Sequence, residues 1–353
     1  MAVFRHLWVG TGALEDAEPE GIWRITHAGA AAGWTDARVV RAHRTAEPTF
    51  LSLHPAADRV YAVAEQSEGR VTSFSLGSDC GLGAVRSVAT GGANPCHVRV
   101  HPQGQWLYAA NYGDGVLSAI ELTEAGDVSD HVLRFPHTGS GPDADRQQGP
   151  HAHSTRISPG GGYLLVADLG TDEIRAYPLD GGRPGADPII SPMPPGSGPR
   201  HFAGKGSYLY VSAELSGEIL VLAWDEDSGM AQVVQQVPGA TLPGRSADAH
   251  YLSHILYTRG VVLVASRGSD SISTFTVHDD GARLEAAGEA HTGAWPRHMA
   301  VAGSNLIVAA ERGNEVLIHP FTPDEVSPAD GQGAVGAAQH SIEIPRPMFI
   351  LPM

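Results

Sequence analysis

The hexapeptide GPHAHS, Gly149–Ser154, sets two histidines one residue apart behind a Gly-Pro turn and ahead of a strand-like run. Residues i and i+2 of a strand share a face, so His151 and His153 can act together. Three chemistries suit such a pair. One is chelation of Zn²⁺ with a third ligand, for which Asp168 and Glu214 are the candidates. A second is proton transfer or substrate contact near neutral pH, where imidazole titrates. The third is ordinary hydrogen bonding inside a sheet. The metal reading needs a third ligand that the spacing does not supply, so the expectation is a site with no metal and no cofactor.

A repeat positions these residues. A Pro, an apolar strand, a Gly or Pro turn and a second apolar strand ending in Ala or Ser plus a polar residue recur, followed by a third strand. The phrase begins at Pro48, Pro95, Pro150, Pro199, Asp248 and Pro296, and a last start falls at Pro347. A period near 50 residues with three or four short strands per unit predicts an all-β, seven-bladed β-propeller. We label the strands of each unit A to D. MFILP near the C-terminus reads as a strand A without followers, and RHLWVGTG, GIWRIT and ARVVRA near the N-terminus read as B, C and D without a leader. The closing blade is therefore expected to be shared by the N- and C-terminal strands, which removes exposed sheet edges. The expectation is one domain over residues 1–353, with 180–198 and 327–339 as surface loops.

In an antiparallel blade the start of strand A and the end of strand B share an edge, so polar residues at both places gather at one mouth. The starts read Cys96-His97, His151-Ala152, Arg200-His201, Ala249-His250 and Arg297-His298; the ends read Glu65, Asn111, Asp168, Glu214, Arg267 and Glu311. Residues that break the repeat, His151, His153, Arg200, Glu214 and Arg267, are the catalytic candidates. His97, Asn111, Asp168, His201, Arg297 and Glu311 are the candidates for substrate contact. The repeated histidines His97, His201, His250 and His298 suit hydrogen bonding between blades equally well.

A formal net charge of −16 argues against nucleic acid or an anionic membrane as partner, since both are bound by clustered positive charge. It favours a small-molecule ligand. Cys80 and Cys96 lie in no metal or disulfide spacing and read as reduced thiols, which suits a cytoplasmic protein. No signal peptide or membrane span is expected, and the expected assembly is a monomer or weak homodimer. There is no P-loop, no G-x-G-x-x-G after a strand and no G-x-S-x-G elbow. The single Trp224-Asp225 pair has no Gly-His partner, so a WD40 assignment fails.

The stretches NPCHVRVHPQGQWLYAANYGDG, GPHAHS with ADLGTDEIRAY, GPRHF with AELSGE, and ADAHYLS with VASRGSDSISTF resemble the lactonase family of seven-bladed propellers along nearly the whole chain. That family includes propeller-type 6-phosphogluconolactonases and carboxy-muconate cyclases. The resemblance implies a cytosolic enzyme that opens or closes a lactone without a required metal. It also implies a site of a histidine, His151 or His153, with Arg200, Glu214 and Arg267. The expected substrate is an anionic or sugar-type lactone opened by hydrolysis. A cycloisomerase acting on a carboxylated muconate-type acid, or a non-catalytic binding propeller, is the alternative.

Overall fold

The computed structural model describes residues 6–13, 21–27, 34–77, 80–242 and 250–353. Runs of β-branched and aromatic residues bounded by Gly, Pro, Asp and Ser favour strands and tight turns. Among the described residues the helical pieces are three 3-10 turns of three residues each, and no helix is long and apolar enough to cross a membrane.

The strands form seven sheets, one for each expected unit. In the 95–136 sheet, Pro95–Val100, Trp106–Asn111, Val116–Leu122 and Val128–Pro136 follow one another as antiparallel neighbours. Trp106–Asn111 is buried at every residue, whereas Val128–Pro136 is mostly half-buried or exposed. The 152–192 sheet has five strands, because Arg183–Pro184 and Ile189–Pro192 both pair with Glu173–Asp180. One sheet is shared by the two ends of the chain, in the order Pro347–Pro352, His6–Thr11, Ile22–Thr26, Arg38–His43. Leu7 pairs there with Pro352, Trp8 with Leu351 and Val9 with Ile350. The shared blade expected from the orphan strands is present.

The chain divides into two compact units, Met1–Arg44 with Phe202–Ala223 and Val233–Met353, and Thr45–His201 with Trp224–Gln232. In the first, Leu7, Val9 and Ile25 pack on Ile307, Ala309 and Val316, and Leu263, Ala265 and Ile272 on Met299, Leu306 and Val308. In the second, Tyr61, Val63 and Val71 pack on Val98, Leu107 and Ile120. Tyr108, Ala110 and Leu117 pack on Ala152, Leu164 and Val166. Each core thus lies between the faces of two consecutive sheets, and each large apolar side chain buried there is worth about 1.5–3 kcal/mol.

A tyrosine recurs three residues before the end of strand B and ties sheet to sheet. Tyr61, Tyr108 and Tyr210 donate their hydroxyls to the carbonyls of Gly126, Gly182 and Gly281 at 2.5, 2.5 and 3.0 Å. Burial raises all three phenols, Tyr210 to about 12, so each stays a protonated donor.

Candidate functional site

The ladders align the repeats differently from the sequence at two of the six strand ends. Ala64, Asn111, Asp168, Ala213, Ser266 and Ala310 are the last residues of strand B to pair with strand C. The residues that follow are Glu65, Tyr112, Leu169, Glu214, Arg267 and Glu311. Asn111 and Asp168 therefore sit one residue deeper than the match by polar type expects, and Tyr112 and Leu169 occupy the edge position. Both displaced residues are fully buried. Asn111 accepts the Thr90 hydroxyl at 2.8 Å and donates to Val116 O and Ser118 Oγ. Asp168 accepts His137 Nδ1–H at 2.6 Å and the N–H groups of His151, Gly170 and Thr171. Burial alone would raise its carboxyl, but His137, the His151 N–H and Arg175 together hold it below the usual aspartate range.

A β-bulge recurs at the start of strand A. Pro95 opposes Asn111 and His97 opposes Ala110, so Cys96 is the extra residue; His153 and Arg297 are extra in the same way in their own sheets. In the sequence Arg200 of PRHF holds the place of Arg297 in PRHM. A bulge re-aims its side chain and interrupts strict alternation, so strand periodicity does not govern how His151 and His153 face. His151 precedes the strand, and His153 sits on the bulge.

In the unit that holds both, His151 is half-buried and stacks on the Tyr112 ring at 4.5 Å. Its Nδ1 lies 2.6 Å from Tyr112 O. A carbonyl can only accept, so Nδ1 carries a proton, and in the neutral ring Nε2 holds the lone pair. His153 is buried, edge-on to Tyr112 at 5.6 Å and to His201 at 5.3 Å, with the Cys96 thiol 3.3 Å from its carbonyl oxygen. His97 and His201 are buried too, packed with each other and with Phe50. Arg200 is buried, and its carbonyl accepts the Ser154 hydroxyl at 2.5 Å. Among the described residues no three His, Cys, Asp or Glu side chains are grouped to hold a metal ion.

The other unit holds Glu214, Arg267, Arg297 and Glu311. Glu214 and Arg267 are both buried and form an ion pair at 2.6 Å. Arg267 also donates through Nε to Tyr251 O at 3.3 Å and through Nη2 to Leu252 O at 3.0 Å. Its Nη1 makes no hydrogen bond among the described residues and can meet a ligand oxygen. Burial pushes this guanidinium below its usual range and Glu214 pulls it back. Glu311 accepts from Arg297 at 3.3 Å and from Arg346 at 2.7 Å. Burial would raise its carboxyl, but Arg297 and Arg346 hold it below the usual range. His298 stacks between His254 and Phe349 at 4.0 and 4.1 Å. The ladder makes His254, not His250, its counterpart, since Leu252 opposes Ser266 and Ile255 opposes Val264. The repeat start at Asp248-Ala249 lies outside the described residues.

Four further residues stand at these edges without having been singled out in the sequence: Tyr112, Trp295, Arg312 and Arg346. Trp295 and Arg346 immediately precede Pro296 and Pro347, a position legible from the repeat. Tyr112 was hidden by the one-residue slip at Asn111.

The model of the family described as Lactonase, 7-bladed beta-propeller, matches residues 6–352. The chain belongs to that family. The seven sheets are the blades of its propeller. Relatives of this lactonase include the 6-phosphogluconolactonase of Bacillus subtilis, 31% identical over 286 residues that cover 78% of this chain and 81% of the relative. Another is the 6-phosphogluconolactonase of Formosa agariphila, 33% identical with 76% and 80% covered. The structure of a periplasmic gluconolactonase of Pseudomonas aeruginosa superposes with a TM-score of 0.83 over 100% of this lactonase and 99% of that chain, at 24% identity, which shows the shared fold.

Proposed function

We propose that this lactonase hydrolyses an aldonolactone, with 6-phosphogluconolactone the favoured substrate, by general acid/base chemistry that needs no metal. The names of the two curated relatives support the substrate class. The observation that carries the mechanism is the buried Glu214–Arg267 pair, which sets a carboxylate beside a fixed guanidinium whose Nη1 is available. Ring opening needs a deprotonated water, a donor to the carbonyl oxygen as it becomes an oxyanion, and a proton for the departing ring oxygen. Glu214 takes the proton from water as its oxygen bonds to the lactone carbon. Arg267 Nη1 donates to the oxyanion. When the C–O ring bond breaks, the proton passes to the ring alkoxide, leaving the hydroxy acid. Nε2 of His151 is a second proton acceptor of suitable chemistry, and Arg200 a second candidate donor. The reverse, lactonising reaction would use the same groups, and the relatives' names favour hydrolysis. We place the work in the cytoplasm, supported by Cys80 and Cys96 not being joined in a disulfide, and expect a monomer or weak homodimer.

Acid release at pH 7 from a panel of phosphorylated and unphosphorylated aldonolactones tests this reading. Turnover that survives prolonged EDTA treatment and falls about 10²–10³-fold in Glu214→Gln supports it. A wild-type protein that opens none of these lactones refutes it.

A further inference from the structure

Three of the four arginines at the Glu214–Glu311 edge are matched by carboxylates: Arg267 by Glu214, and Arg297 and Arg346 by Glu311. The fourth, Arg312, is exposed and has no carboxylate within ion-pair distance among the described residues. Its guanidinium carbon lies instead 3.3 Å from the centroid of the Trp295 ring, with Arg267 5.5 Å from the same centroid. An indole face holds a guanidinium electrostatically and leaves its N–H edge open to an anion.

The backbone does not ask for either residue. Trp295 has φ 62°, in the left-handed region, which a bulky side chain adopts at a cost. The same place before strand A is left-handed at Glu47, Asn94, Gly198 and Arg346, of which Asn94 and Gly198 are the residue types that suit it. At the position of Arg312 three other repeats carry Gly113, Gly170 and Gly268, and two carry the uncharged Gln66 and Leu215. A tryptophan and an arginine thus occupy backbone sites where Asn or Gly serves in several other repeats, and they contact each other. In a chain of net charge −16 an anionic substrate is repelled unless a local cation draws it in.

We propose that Arg312, held by Trp295, binds the phosphate of a phosphorylated aldonolactone and sets the preference for it over the unphosphorylated lactone; this rests on the hydrolytic reading above. Two measurements on the full-length protein test it: the ratio of kcat/KM for 6-phosphogluconolactone to that for gluconolactone, and calorimetric binding of the unreactive acids 6-phosphogluconate and gluconate. Arg312→Gln should lower both preferences about 10- to 100-fold, the ordinary loss for one charge-assisted partner. Arg312→Lys should retain some of the preference. Trp295→Asn, which suits the backbone and so preserves folding, should lower it in the same direction by removing the platform. Unchanged preferences in Arg312→Gln, or equal losses for both ligands, overturn the subsite. If the wild type opens neither lactone, the hydrolytic reading fails and the titration alone decides the subsite. Binding of 6-phosphogluconate that weakens in Arg312→Gln then supports it, and binding that is absent or unaffected overturns it.

Discussion

His151 and His153 differ in what their rings have left to give. The Tyr112 carbonyl accepts from His151 Nδ1 and leaves Nε2 to face a ligand, whereas His153 is buried between Tyr112, His201 and Cys96. If His151 moves a proton in the reaction, His151→Ala should lower kcat by about 10²–10⁴, and His153→Ala should lower the melting temperature more than the rate. Turnover of His151→Ala at the wild-type rate would assign all proton work to Glu214. Arg267→Ala should lose both activity and stability, because it strips the buried Glu214 carboxylate of the guanidinium 2.6 Å away. Stability should also fall with acid in two windows. His319 is held below its usual range by burial against a hydrogen bond to Gly336 O, so the unfolded chain takes up that proton first, and stability is lost as pH drops below about 6.5. Asp168 is also depressed; its contribution is complete above about pH 4 and disappears as pH falls through its folded value. Melting curves from pH 8 to 3 check both windows, with His319→Gln expected to flatten the first.

At the level of strands and turns, a side chain in three of the B–C turns fastens the residue that leads into the next blade. Asp172 Oδ1 accepts Gly198 N–H at 2.7 Å, Asp270 Oδ1 accepts Trp295 N–H at 2.9 Å, and Asn314 Oδ1 accepts Arg346 N–H at 2.9 Å. These turn residues are themselves left-handed, at φ 53°, 52° and 53°, which Asp and Asn tolerate better than other side chains and which Gly115 and Gly217 supply elsewhere. Asp270→Gly keeps the conformation and loses the bond, for about 1 kcal/mol. Asp270→Ala loses both, for about 2 kcal/mol or more in chemical denaturation. Equal effects of the two variants would mean that the turn conformation is not strained. The turns were legible in GTDE, GSDS and RGNE, because Asp and Asn before a strand are turn formers. Their partners were not, since Asp270 and Trp295 stand 25 residues apart and only the packing of consecutive sheets brings them together. The same limit explains the site. Glu214, Arg267 and Glu311 fall at the strand edge as expected, but a polar residue at the last paired position made Asn111 and Asp168 look like edge residues. A bulge, invisible in residue type, decided the directions of Cys96, His153 and Arg297.

For the whole molecule, the period near 50 residues was sufficient to foresee seven sheets, because each unit alone has apolar faces that only a neighbouring unit can cover. The shared sheet was equally legible, since MFILP and RHLWVGTG each lacked a neighbour. Deleting residues 347–353 should uncover the edge of His6–Thr11, a strand buried from Leu7 onward, and cause aggregation with a lowered melting temperature. A truncated protein that melts like the full-length chain would show that the pairing contributes little. The direction of this pairing also governs how the molecule yields to force. The Met353 N–H donates to His6 O at 2.9 Å, so the first described residue and the last are neighbours at one end of an antiparallel ladder. Tension applied through the two ends of the chain acts along those hydrogen bonds rather than across them. The bonds then break in succession from that end, and the sheet should peel open at a low, nearly constant load instead of rupturing all at once.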